Sequence, residues 1–186
     1  MIEKHGNYAV TMLSQDRKTP LYHWHETNGG KIVPFGGYLL PVQYETGSIT
    51  EHNAVREKAG LFDVSHMGEF VISGRGALKA LQWLFSNDFT NMKTGRVRYT
   101  LMCNDSGGII DDLVVCKMDE NRYFLVVNAA NREKDAAWIR NRLPSAPGEA
   151  GEAVFEDVSD SFAQIALQGP ASPAILASVS DTIPEK

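Results

Sequence analysis

Cysteine is scarce in this chain, with only Cys103 and Cys116 among 186 residues. One bridge is the most they could form, and they read better as reduced thiols of a cytosolic protein. No further cysteine accompanies them, so neither a zinc site nor a redox pair is indicated. No apolar run is long enough to cross a bilayer, which excludes a transmembrane helix. Met1 to Asn7 is polar, and no hydrophobic signal core follows it. Basic excess is also missing: 18 Lys and Arg against 23 Asp and Glu leave a net charge of −5. Such a chain has no general attraction for phosphate backbones, which argues against nucleic acid as a partner. Internal repeats and low-complexity stretches are absent. What is present is ordinary, since 43% hydrophobic and 22% charged residues supply a globular core and argue against wholesale disorder. The length suits one domain or two small ones.

The first fifty residues are irregular, broken by Gly29-Gly30, Gly36-Gly37, Pro20, Pro34 and Pro41. Tyr22-His23-Trp24-His25 and Tyr38-Leu39-Leu40 read as short strands, turns and packed surface. Ser48-Ile49-Thr50-Glu51 has the form of a capping box and predicts a helix over 49–58 that ends at Gly60. A strand is expected at Phe70 to Ser73, and the Gly74-Arg75-Gly76 turn then feeds a helix with Leu78, Leu81, Leu84 and Phe85 on one face. Three strand-like runs follow, Val97 to Cys103, Ile109 to Cys116 and Arg122 to Asn128. Their short, turn-rich separators predict an antiparallel meander. Asn131 should cap a helix that turns Ala136, Ala137, Ile139 and Leu143 inward. Pro144 to Gly148 reads as a linker. Strands at Ala153 to Phe155 and Phe162 to Leu167 and a helix over Ala171 to Ser178 complete the pattern.

Within the meander, alternation puts Ile109, Asp111, Leu113 and Val115 on one strand face and Ile110, Asp112, Val114 and Cys116 on the other. Each carboxylate interrupts an apolar face, which is costly unless the charge is paired or used there. With symmetric turns, Asp111 faces Leu101, has Tyr99 diagonally beside it, and faces Asn128 across the other hairpin. Acid, phenol and amide then gather on one surface. A slip of one residue would exchange Asp111 for Asp112. Other candidates are weaker. His23-x-His25 could offer two imidazoles as metal ligands but has no third ligand at a diagnostic spacing. Asp63-Val64-Ser65-His66 reads as a local hydrogen-bonded turn rather than a triad. Gly74-x-Gly76 lacks the third glycine of a dinucleotide loop. Arg132-Glu133-Lys134-Asp135 reads as a solvated face at a helix start.

Several segments, taken in order, carry a resemblance. They are Thr19-Pro20-Leu21-Tyr22, Phe35-Gly36-Gly37-Tyr38, Glu51-His52-x-Ala54-Val55-Arg56, and Gly60-Leu61-Phe62-Asp63-Val64-Ser65-His66-Met67. Gly107-Gly108-Ile109-Ile110-Asp111-Asp112-Leu113, Val126-Val127-Asn128-Ala129 and Leu167-Gln168-Gly169-Pro170 follow. The set resembles the aminomethyltransferase of the glycine cleavage system, the T-protein. That resemblance implies an α+β fold of antiparallel sheets with flanking helices. It also implies transfer of a one-carbon unit from the aminomethyl-lipoyl arm of H-protein to tetrahydrofolate, with release of ammonia. By the same resemblance Asp111, the first acid of the Gly-Gly-x-x-Asp-Asp motif, lies beside the reacting nitrogens. Tyr99, Leu101, Val127 and Asn128 line the folate pocket, and no metal takes part.

The pattern departs from that family in extent. Full-length members are about twice as long, and here the later Tyr-Thr-Gly-Glu type motif and a third, barrel domain are absent. The family implies that residues 55–143 form a complete second domain. Residues 1–54 and 150–186 would then be parts of an incomplete first domain, with a complementing C-terminal half supplying the rest. Two relatives compete for the resemblance: folate-dependent demethylases and sarcosine-oxidising enzymes, and a non-catalytic folate-binding scaffold of the same fold. Retention of the paired acids favours catalysis.

Overall fold

The computed structural model describes residues 16–181, so the polar Met1 to Asn7 segment and the last five residues lie outside it. The strands are β1 Arg17–Lys18, β2 Ile32–Phe35, β3 Tyr38–Pro41, β4 Gly60–Asp63, β5 Gly68–Ser73, β6 Val97–Cys103, β7 Ile109–Asp119, β8 Arg122–Val127, β9 Val154–Asp157 and β10 Ile165–Gln168. The α-helices are α1 Tyr22–Thr27, α2 Ser48–Glu57, α3 Ala77–Leu84, α4 Arg132–Arg142 and α5 Ser172–Val179. Among the described residues no helix is long and apolar enough to cross a membrane. The expected α+β architecture is present.

At its centre is an antiparallel five-stranded sheet in the order β6-β7-β8-β5-β9. Period-two alternation assigns its two faces. Register places Phe70 opposite Leu125, Leu125 opposite Val115, and Ile72 opposite Tyr123. These residues, with Met102, Leu113 and Val127, form one apolar face. Ala77, Ala80, Leu81 and Leu84 of α3 and Ala136 and Ile139 of α4 cover that face and complete the core. Burying aliphatic and aromatic side chains of this size contributes about 1.5–3 kcal/mol each. The opposite face carries Tyr99, Leu101, Asp112, Val114, Phe124, Val126, Glu69 and Val71. No helix packs on it in the described residues. The segment after β9 covers one end instead, where Phe162 meets Phe124 edge-on at 5.3 Å.

Several local expectations are corrected. Tyr22 to His25 is helical, not extended. The capping box does not form: Gly47 is the N-cap of α2, and Glu51 Oε1 accepts the Tyr44 backbone N–H at 2.6 Å. Ala137 is exposed, while Asp135 points inward. The expected linker at Pro144 to Gly148 is part of two 3-10 turns whose Leu143, Ala146 and Ala150 are buried in the core. These turns lie so close to α3 that a Cβ on Gly76 would sit 1.7 Å from the Glu149 carbonyl oxygen. Strand β9 then pairs with β5 in the central sheet. Residues 143–157 therefore pack with the central sheet, because small buried side chains hold those turns against it.

The remaining elements are smaller. Strands β1, β3 and β2 form a three-stranded sheet, and β4 pairs with β10. Arg132 joins the two parts: its guanidinium meets Asp157 at 3.1 Å and Asp160 at 2.9 Å, and Asp160 also accepts from Arg17 at 2.7 Å.

Candidate active site on the open sheet face

The Asn104–Gly108 loop joins β6 to β7 and sets which acid lies where. Asn104 Oδ1 accepts the backbone N–H groups of Ser106 and Gly108 at 3.1 and 2.8 Å. Gly107 takes a left-handed φ of 81°, which its missing Cβ allows. Beyond this loop Cys103 pairs with Ile109, but Met102 pairs with Asp111 and Leu101 with Asp112. Ile110 is the extra residue of a β-bulge. Its carbonyl accepts from Lys134 Nζ at 2.7 Å.

The bulge corrects the symmetric register expected from the turns. Asp112, not Asp111, stands opposite Leu101. The Tyr99 hydroxyl donates to Asp112 Oδ2. Continuing the β7–β8 register past Val114 and Val126 brings Asn128 opposite Asp112 as well. Asn128 Nδ2 lies 3.0 Å from the Asp112 carbonyl oxygen and 3.3 Å from Asp112 Oδ1. Phenol, acid and amide do gather on one face, next to the half-buried Leu101, Val114 and Val126, but the acid is the second of the pair. The hydrogen bond to Asp112, with a smaller contribution from burial, raises the Tyr99 phenol above its ordinary value, so it stays a donor at neutral pH.

Asp111 faces the other way and is only 5% exposed. Its Oδ1 accepts from Asn128 Nδ2 at 3.0 Å and from Asn131 Nδ2 at 2.7 Å, and its Oδ2 lies 3.4 Å from the Asn128 backbone nitrogen. Burial works to raise this carboxyl, but hydrogen bonds from Asp135, Asn128 and Asn131 outweigh it and hold it below the ordinary aspartate value. Asn131 therefore stands at the N-cap position of α4 but makes no side-chain cap; its amide serves Asp111. Val127, expected to line the pocket, is 0% exposed within the core. The neighbouring Val126 occupies the open face, as alternation requires.

Sequence reasoning missed two buried acids. Asp135, expected in solvent, is 0% exposed with no hydrogen-bond donor at either oxygen. Burial first, then the Asp111 carboxylate, push it up to about 8. Glu69 is 1% exposed and likewise unpartnered on both oxygens. Burial drives it up to about 7, against the pull of Arg132. His25 joins Tyr44 Oη at 2.6 Å and Asp63 Oδ2 at 2.9 Å, away from the sheet site. His23 is exposed on α1, so the two imidazoles do not form a pair on a strand face. Asp63 Oδ1 also accepts the Ser65 backbone N–H at 3.0 Å, the expected local turn. Among the described residues, no group of three or more His, Cys, Asp or Glu could hold a metal.

Residues 21–185 match the GCVT N-terminal domain family. An aminomethyltransferase of Chlorobium limicola is 50% identical over 163 residues, covering 88% of this chain and 44% of that protein. One from Clostridium botulinum is also 50% identical over 163 residues, covering 88% and 42%. The crystal structure of glycine cleavage system aminomethyltransferase T from Bartonella henselae superposes with a TM-score of 0.77 at 34% identity, over 88% of this chain and 43% of that one. The chain spans less than half the length of these relatives.

Proposed function

The chain belongs to the GCVT N-terminal domain family, and from that membership we propose that it is part of a folate-dependent aminomethyltransferase. The substrates are the aminomethyl-lipoyl arm of H-protein and tetrahydrofolate. The one-carbon unit passes to the folate amine, ammonia departs, and the dihydrolipoyl arm is left behind. The observation that carries this reading is the meeting of Asp112, Tyr99 and Asn128 beside the apolar strip of Leu101, Val114 and Val126.

The donor set suits the substrate. An apolar strip can take the flat face of a heterocycle, and acceptors at its end can take N–H groups. Transfer needs an amine lone pair directed at a methylene carbon with iminium character. A fixed carboxylate accepts the amine N–H, holds that orientation and stabilises the positive charge that develops. Asp112 is the acid on the open face, so the role that the sequence motif gave to Asp111 passes to Asp112. Tyr99 fixes one Asp112 oxygen, and Asn128 steadies the other from the next strand. Asp111 lies behind them in the core. The five-stranded unit is read as the enzyme's second domain and the smaller sheets as part of its first. A complementing C-terminal half closes the site, and the free thiols suit a cytoplasmic enzyme.

Isothermal titration of tetrahydrofolate into this chain, alone and with the C-terminal half of a full-length relative, tests the reading. Binding restored by complementation is the expected result. In that complex Asp112→Asn should retain binding and lower turnover by about 10²-fold or more. Silence in both titrations, or near-normal turnover with Asn at this position, would overturn it.

A further inference from the structure

Asp135 is a fully buried carboxyl that the transfer chemistry above does not use. It sits on the first turn of α4, within hydrogen-bonding reach of Asp111, and no N–H donor reaches either of its oxygens. We propose that Asp135 is a positioning residue: it carries a proton that it donates to Asp111, and this acid–carboxylate pair locks Asn128 against Asp112. The inference rests on the reading that Asn128 and Asp112 share the transfer site.

The available hydrogen-bond donors support it. An ionised Asp111 in the core needs donors, and the structure supplies the Asn128 and Asn131 side-chain amides. Asp135 has none, so its ionised form would leave a second uncompensated charge beside the first. Two carboxyls in such contact hold one proton between them, and the pair keeps a single negative charge. The proton belongs on Asp135, because Asp111 already has amide donors that favour its charged form. The other charged groups acting on the pair are Lys134 on the same helix, which opposes proton uptake by Asp135, and Asp112, which favours it. With Asp135 donating, Asp111 is held from the α4 side and from the β8 side together. The Asn128 amide then spends its donors on Asp111 and Asp112. Its oxygen remains for an N–H group of the substrate.

Losing the Asp135 proton would place two charges side by side and loosen the hold on Asn128. The test needs no folate, so its failure and the failure of the transferase reading are separate results. In the ¹⁵N-labelled chain, the side-chain amide resonances of Asn128 and Asn131 are followed from about pH 6 to about pH 9.5. They should shift together with a midpoint near 8, and their exchange with solvent should quicken about 10-fold beyond the rise expected from pH alone. In Asp135→Asn, which offers a permanent donor, both amides should keep their low-pH positions throughout. Flat amide resonances in the unmodified chain, or the same titration persisting in Asp135→Asn, would overturn the proposal. If that variant does not fold, the ¹³C carboxyl signal of Asp135 in the unmodified chain decides: a midpoint near 8 supports the pair, and one near the ordinary aspartate value refutes it.

Discussion

Replacing Glu69 with Gln tests directly how the open face is built. Glu69 is almost completely buried, opposite Val126, and neither of its oxygens meets a donor among the described residues. Its carboxyl rises from 4.5 to about 7, first through burial, with Asp157 and Asp160 adding to it and Arg132 opposing. A raised acid holds its proton in the folded chain after the unfolded chain has released it. Stability is therefore full below about pH 4.5 and falls as pH rises through about 7. A tenfold difference in proton affinity between the folded and unfolded chain corresponds to about 1.4 kcal/mol, so between about pH 5 and about pH 8 this one side chain should cost about 2.5 kcal/mol. Glu69→Gln is neutral throughout and escapes that loss. Urea unfolding followed by tryptophan fluorescence should show the variant gaining about 2–3 kcal/mol on the unmodified chain across that interval. A difference between the two proteins that does not change with pH would refute the reasoning.

Other perturbations probe the packing and the site. Phe70→Ala removes a fully buried ring beneath α3 and should cost about 3–5 kcal/mol in the same unfolding assay. Gly76→Ala drives a methyl into the Glu149 carbonyl and should cost about 1–3 kcal/mol, with faster proteolysis of the 143–152 turns. Tyr99→Phe removes the phenol that fixes Asp112. In the complemented protein, titration calorimetry should show tetrahydrofolate affinity weakened about 2- to 10-fold, with an unchanged thermal midpoint because the ring is 57% exposed.

Local pattern carried much of the fold. The meander was legible because β-branched and aromatic runs are separated by short turns, and β6 begins and ends where the pattern puts it. The inner face of α3 was legible from its leucine spacing. What could not be read depends on contacts distant in sequence. Pro144 to Gly148 has linker composition, yet small buried side chains pin it to the core. Asp135 stands in a run of charges, and its burial beside Asp111 rests on a contact with a different element, the distant strand β7. Tyr99 and Asn128 were found from spacing, but choosing between two adjacent acids needed the bulge. A GG turn alone does not declare a bulge.

The extra residue at Ile110 behaves as a vernier. By offsetting one strand against its neighbour, it decides which of two consecutive aspartates stands opposite Leu101 on the open face and which pairs with Met102 on the core side. Deleting a single residue between Asn104 and Gly108 would therefore not merely shorten a surface hairpin. With the bulge kept, it would bring Leu113 opposite Leu101 in place of Asp112 and take the acid away from the Tyr99 phenol, so the length of this loop fixes which side chain the phenol meets.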